Sequence, residues 1–271
     1  MAHHHLTVVA AGVATTVQDR GRPGMASLGV PRAGAVDTAL HDLVNRLVGN
    51  TEDAATLETA GRLVVRADGP LVIAITAEAG PRSLVTGEAL HVDPSPGEQW
   101  AYLAVRGGLA VEPVLGSRSR DTLSGTGPTP PTAGDELAVG DDPGTPVLAD
   151  VAPRPLRAAP TSIRIWPGPR VDWFEPATIE RLVDSPWTVS ADISRVGVRL
   201  EGPQLHRRGG ELPSEALVLG AIQVPPDGRP VVMLADHPTT GGYPVVAVVD
   251  PSDIGALAQS RSGALVRLRR A

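Results

Sequence analysis

The sequence predicts a mainly β protein with a few short helices, on three observations. Its hydrophobic residues, 42% of the chain, fall mostly in short runs of Val, Ile and Leu. Thirty glycines and 27 prolines punctuate these runs, leaving few segments long enough for anything but a strand. Aromatic residues are only 3%, so the cores must rest on branched aliphatic side chains, which suit a pleated surface. Many short strands with frequent turns point to a sandwich or barrel.

Taken in order, Met1–His5 reads as the remnant of an appended tag and is set aside, together with any metal site its histidines offer. Asp37 is placed to cap a helix carrying Leu40, Leu43, Val44, Leu47 and Val48, with Gly49 just past its end. Leu63-Val64-Val65 and Leu71-Val72-Ile73 flank Asp68-Gly69, a hairpin signal. Further strand-like runs are 99–105, 137–139, 162–165, 196–200, 231–235, 245–249 and 264–268. Pro176 is placed to open a second helix with Ile179, Leu182 and Val183, and Ser252 to cap a third with Ile254, Leu257 and Ala258. The Pro- and Ala-rich stretch 141–160 divides the chain into an N-terminal domain, 6–145, and a C-terminal domain, 146–271.

Composition excludes several kinds of chemistry. There is no cysteine, hence no disulfide, thiolate nucleophile or cysteine zinc site. There is no lysine either, which removes Schiff-base chemistry and the P-loop lysine. Anions must be met by arginine forks and backbone N–H groups. A net charge of −6 argues against a nucleic-acid partner. No apolar stretch approaches the ~20 residues of a membrane span, and no signal-peptide pattern opens the chain, so a cytoplasmic protein is expected.

Three loops carry chemical possibilities. Thr15–Gly24, "TTVQDRGRPG", sets Gln18, Asp19, Arg20 and Arg22 among glycines that permit positive φ. It reads either as a surface loop with an internal Asp–Arg pair or as an anion site. Gly116–Asp121, "GSRSRD", has the same two readings, with Arg118 as its anion-binding guanidinium. Asp236–Gly242, "DHPTTGG", is either a turn between strands or a site. In the second reading Asp236 and His237 serve proton transfer, and Thr239, Thr240, Gly241 and Gly242 bind an oxyanion or phosphate. His41, His91 and His206 have no metal-ligand spacing, so no metal site is expected.

Three longer blocks, Thr15–Asn50, Tyr102–Leu123 and Gly220–Val249, together resemble the biotin-dependent carboxyltransferase-like family, which includes the C subunit of 5-oxoprolinase, allophanate hydrolase subunit 2 and KipA. The resemblance implies two cyclophilin-like β-barrel domains with a ligand cleft between them. It implies one component of an ATP-dependent 5-oxoprolinase, an amidohydrolase that opens the 5-oxoproline lactam to glutamate, and a component inactive without its partners. Those partners are a KipI-type protein (the B subunit of 5-oxoprolinase), with which ATP is handled, and a LamB/YcsF-type protein (the A subunit). The alternatives are a KipA-like regulator of a KipI-type partner, or a carboxyltransferase acting on urea- or allophanate-type amides, which alone involves biotin. Within the matched blocks, Asp236 and His237 are assigned to proton transfer or water orientation. Gln18 and Gln223 are assigned to amide recognition, and Asp19, Arg20, Arg118 and Thr239–Gly242 to substrate binding. The sequence departs from the family pattern at Val36, Ala216, Arg120 and Pro238, the last replacing a glutamine inside the loop.

Overall fold

A computed structural model of the protein describes residues 4–147, 151 and 161–271. It is mainly β, with three short α-helices, and it divides into two compact units. The first contains residues up to Arg22 and from Ala33 to the end of the N-terminal half; the second contains Pro23–Arg32 and the C-terminal half. The junction between the halves lies outside the described residues.

In the first unit, nine strands form two sheets. The strands are β1 (His5–Ala10), β2 (Thr16–Gln18), β3 (Thr56–Thr59), β4 (Leu63–Ala67), β5 (Leu71–Ile75), β6 (Arg82–Leu84), β7 (Ala89–Val92), β8 (Ala101–Val105) and β9 (Glu136–Ala138). One sheet runs β7-β4-β1-β9 and the other β2-β3-β8-β5-β6. Both contribute to one aliphatic core, in which Leu6, Leu57, Leu63, Val65 and Ile73 have no exposed surface. Helix α1 (Thr38–Leu47) packs on β8 and β5 and is capped as expected, Asp37 accepting from the Leu40 N–H.

Two expectations are corrected here. Strands β4 and β5 do not form a hairpin: β4 pairs with β1 and β7, and β5 with β6 and β8. The Asp68 carboxylate is drawn away to the His5 N–H, at 2.6 Å, and Pro70 offers no N–H to a ladder, so the chain crosses between sheets instead. His5, set aside with the tag remnant, takes part in the fold. It opens β1, paired with Ala138, and its ring meets Asp68 at 3.0 Å.

The second unit is a closed barrel. Its strands are β10 (Thr161–Pro167), β11 (Pro186–Ile193), β12 (Gly197–Glu201), β14 (Ala221–Gln223), β15 (Val231–Met233), β17 (Val245–Val249) and β18 (Leu265–Arg270), in the order β10-β17-β14-β15-β12-β11-β18. β10 and β18 close it in parallel. A two-stranded ladder of β13 (Glu215–Ala216) and β16 (Thr240–Gly241) lies apart. Strict alternation builds the interior: in β18, Val266 and Leu268 are buried while Leu265, Arg267 and Arg269 are exposed. Trp187, Val189, Val198, Leu200, Ile222 and Val232 join them in the core.

Helix α2 (Thr178–Asp184) packs against β18. Helix α3 (Ile254–Ala258) follows a 3-10 turn (Pro251–Asp253), and its start signal is corrected: Ser252 lies inside that turn, which Asp250 caps by accepting from the Ser252 N–H at 3.1 Å, while Asp253 at the N-cap of α3 makes no side-chain cap hydrogen bond. Asp250 stands before Pro251, whose fixed φ suits the first turn position. Of the described helices, none is long and apolar enough to cross a membrane.

Candidate functional site

Asp19 organises the first unit's loops. Its Oδ1 accepts from Ser117 Oγ and Ser119 Oγ, both at 2.6 Å, and from the Gly21 N–H at 2.7 Å; its Oδ2 accepts from the Arg118 N–H at 2.6 Å. The Asp19 N–H in turn donates to Ser119 Oγ at 2.9 Å. Gly21 and Gly116 take φ of 78° and 79°, which lets both loops bend round this one carboxylate. The sequence-predicted loops 15–24 and 116–121 are thus brought together, and Asp19 is what joins them.

The arginines part company. Arg20 meets Asp42 through two nitrogens, at 3.1 and 2.5 Å, and Glu52 at 2.5 Å. Asp42 is held below the usual carboxylate range: burial opposes this, but the His41 hydrogen bond and the Arg20 guanidinium outweigh it. Arg118 donates from Nε to the Val111 carbonyl at 2.6 Å and makes no hydrogen bond through Nη1 or Nη2 to the described residues. Of Arg20, Arg118 and Arg120, Arg118 is thus the one whose terminal nitrogens stay without a hydrogen bond from the described residues. Arg120 is spent inside its loop, on the Gly125 and Gly127 carbonyls.

Both predicted glutamines are positioned by their amide nitrogens. Gln18 Nε2 donates to Thr16 Oγ1 at 2.9 Å and to the Arg120 carbonyl at 2.8 Å, and its Oε1 is buried without a protein partner. Gln223 Nε2 donates to the Tyr243 carbonyl at 2.9 Å. An atom this close to a carbonyl oxygen must be the nitrogen, so each glutamine presents an acceptor.

In the second unit the Asp236–Gly242 loop follows β15. Arg195 and Asp236 form a two-bond fork, Nε to Oδ2 and Nη2 to Oδ1, both 2.9 Å, with side chains 1% and 0% exposed. His237 Nδ1 stands 2.7 Å from the Pro238 carbonyl. The Thr239 carbonyl accepts from the Leu217 N–H at 2.9 Å, which fixes the loop as it enters β16. Thr240 and Gly242 are exposed. A β-carbon on Gly241 would stand 2.7 Å from Leu217 Cδ1 and 2.8 Å from Gln223 Nε2, so any other residue there would push the ends of both side chains aside. This unit thus brings Gln223 to Thr239–Gly242. A cavity of about 410 Å³ in the same unit is lined by Ser194, Val196, Arg199 and Met233 among others, and it takes in none of the sequence-predicted residues.

Sequence reading missed Arg195, whose partner is 41 positions away, and a buried cluster around Tyr102. Tyr102 Oη donates to Glu58 Oε2 at 2.7 Å and accepts from the Asp37 N–H at 2.9 Å; Glu58 Oε2 also accepts from the Val36 N–H at 3.0 Å. His41 sits edge-on to the Tyr102 ring, with centroids 6.2 Å apart. Only the glutamate inside an otherwise strand-like "TLET" offered a signal. Burial, with Glu58 beside it, pushes the Tyr102 phenol well above its ordinary value. A phenol raised in the fold stabilises it fully below the unfolded tyrosine's titration, near pH ~10, and that contribution is lost as pH rises beyond it. In a Tyr243→Phe chain, where Tyr102 is the sole tyrosine, phenolate absorbance is expected to rise only together with the loss of circular dichroism at alkaline pH; a rise in the still-folded chain would contradict this.

A mainly β protein with a closed barrel, polar loops bound round single carboxylates and two acceptor-presenting glutamines is the class defined so far. The chain belongs to the carboxyltransferase domain, subdomain A and B, family, which matches residues 28–270. It is 36% identical to the 5-oxoprolinase C subunit of Escherichia coli (strain K12), over 94% of this chain and 87% of that protein. Among solved structures, TTHA0988 matches with a TM-score of 0.88 at 36% identity, covering 98% of this chain and 56% of that one. The Kluyveromyces lactis urea carboxylase matches with a TM-score of 0.85 at 27% identity, over 98% of this chain and 27% of its own. The chain therefore spans about half the length of the first structure and about a quarter of the second.

Proposed function

We propose that this chain is the C component of an ATP-dependent 5-oxoprolinase, an amidohydrolase that opens the lactam of 5-oxoproline to glutamate. The observation that carries this reading is the match to the Escherichia coli protein over nearly the full length of both chains. The side chains suit the chemistry. In the first unit, Gln18 keeps an acceptor oxygen suited to an amide N–H and Arg118 a guanidinium suited to a carboxylate or phosphate; in the second, Gln223 keeps an acceptor oxygen and Thr239–Gly242 offers hydroxyls and backbone N–H groups suited to an oxyanion. His237 serves proton transfer or water orientation and Asp236, both of whose oxygens Arg195 engages, holds its loop, while Asp19 and Arg20 set the loop from which Gln18 acts. ATP, handled with a KipI-type partner as the B component, supplies a phosphoryl group that activates a poorly electrophilic lactam carbonyl; on this chain Arg118 fits such an anion. A LamB/YcsF-type protein completes the assembly as the A component, and the reading places it in the cytoplasm.

The likeness to urea carboxylase favours one second reading, carboxyl transfer to a urea-type amide. This chain has no lysine to carry biotin, so any carrier is another protein. Coexpression with its partner subunits separates the possibilities. The assembled complex is expected to hydrolyse ATP when given 5-oxoproline, and the chain alone is not. Turnover of urea dependent on a biotin carrier would favour carboxyl transfer, and a tight complex without turnover would favour a KipA-like regulator.

A further inference from the structure

The loop that follows β15 holds one ring whose chemistry its neighbours decide. A carbonyl oxygen only accepts, so the 2.7 Å contact from His237 Nδ1 to Pro238 means that Nδ1 carries the proton. The lone pair of the neutral imidazole is then on Nε2, which has no hydrogen bond from the described residues. The glutamine-to-proline departure at position 238 costs this arrangement nothing, because the acceptor is a backbone carbonyl and the ring of Pro238 restricts φ at that carbonyl.

The segment carrying His237 is secured on several sides. The Asp236 N–H donates to the Arg195 carbonyl at 3.0 Å, the Leu234 N–H to the Val196 carbonyl at 2.9 Å, and the His237 N–H to the Leu234 carbonyl at 3.1 Å. Across this backbone zipper lies the buried Arg195–Asp236 fork. Ser194 and Val196, on either side of Arg195, line the cavity, while the Arg195 side chain is turned into the interior. Both Asp236 oxygens are engaged by the fork, so the carboxylate holds the loop rather than handling a substrate proton.

We propose that Arg195, acting through Asp236, is the positioning residue that holds His237 as its Nδ1–H tautomer with Nε2 presented as a proton acceptor. In opening of the phosphorylated lactam, Nε2 takes a proton from the attacking water as the water oxygen bonds to the acyl carbon. The proton then passes to the departing nitrogen as the C–N bond breaks, and a second water hydrolyses the resulting acyl phosphate to the carboxylate and inorganic phosphate. This step rests on the amide-opening reading above; the tautomer does not.

The test uses the full chain with ¹⁵N-labelled histidine and long-range ¹H–¹⁵N correlation, His237 being assigned by its absence in His237→Gln. The wild-type chain is expected to show the Nδ1–H tautomer. An Arg195→Met/Asp236→Leu chain replaces both charges with apolar groups of similar volume and retains the barrel; it is expected to show a tautomer mixture. Arg195→Lys, which keeps the charge but loses the fork, serves as the milder variant and is expected to fall between. In the complex, kcat with 5-oxoproline is expected to fall about 100-fold in His237→Gln and at least about tenfold in the double variant, with KM within about twofold of wild type. An Nε2–H tautomer in the wild-type chain, or an unchanged tautomer in the folded double variant, overturns the positioning role. A tautomer shift without loss of kcat in His237→Gln overturns the proton transfer and leaves the lock standing.

Discussion

A chain carrying Arg195→Met alone is expected to lose about 3–5 kcal/mol of stability and to melt more than about 10 °C below wild type. The loss comes less from the attraction removed than from what remains. Asp236 has no exposed surface, so without the guanidinium its carboxylate is buried without its counter-charge. Replacing both partners, as in Arg195→Met/Asp236→Leu, is expected to restore stability to within about 1 kcal/mol, or to exceed wild type, because the desolvation of both charges is relieved together. Urea unfolding of wild type, Arg195→Met, Asp236→Leu and the double variant, followed by circular dichroism, gives the full cycle. Equal losses in the single and double variants would show that the pair does not act as a unit.

Asp19→Ala is expected to be comparably damaging in the first unit, at about 3–5 kcal/mol, since hydrogen bonds to a charged acceptor contribute about 1.5–3 kcal/mol each and are not additive. Four donors converge on this carboxylate, and the substitution strands the Ser117 and Ser119 hydroxyls, both at most 1% exposed. Asp19→Asn retains one acceptor oxygen and is expected to lose about half as much. The loops themselves provide a second measurement: amide exchange at residues 116–121 is expected to accelerate in Asp19→Ala well before global unfolding. Unchanged protection there would refute the role given to Asp19.

These two residues also show how far the sequence could be read. Asp19 stood in a conspicuous loop beside Arg20, and an Asp–Arg pair was the natural local expectation. The structure instead pairs Arg20 with Asp42 and Glu52, and it turns Asp19 toward serines about 100 positions away. Asp236 was conspicuous for the His beside it, while Arg195 sat unremarked after a short polar turn. Nothing local distinguishes an arginine that ends up 2% exposed from the many that stay in water. Strands such as β3 and β11 were equally hard to see, because "TLET" and "PWTVSADI" owe their strand character to neighbours in a sheet rather than to their own composition.

What the sequence by itself determined was the mainly β class, the position and cap of helix α1, the runs that form β4, β5, β8, β9, β10, β12, β15, β17 and β18, and the family through three ordered blocks. These follow from periodicity, turn chemistry and capping, which act over a few residues and are written in adjacent letters. Only the tertiary structure decided that β4 and β5 belong to different sheets, that Asp19 ties two loops together and that Asp236 is locked by Arg195. Those outcomes depend on which donors meet which acceptors once water is excluded. That competition is settled among groups tens of residues apart, where an unpaired buried charge costs far more than any local preference.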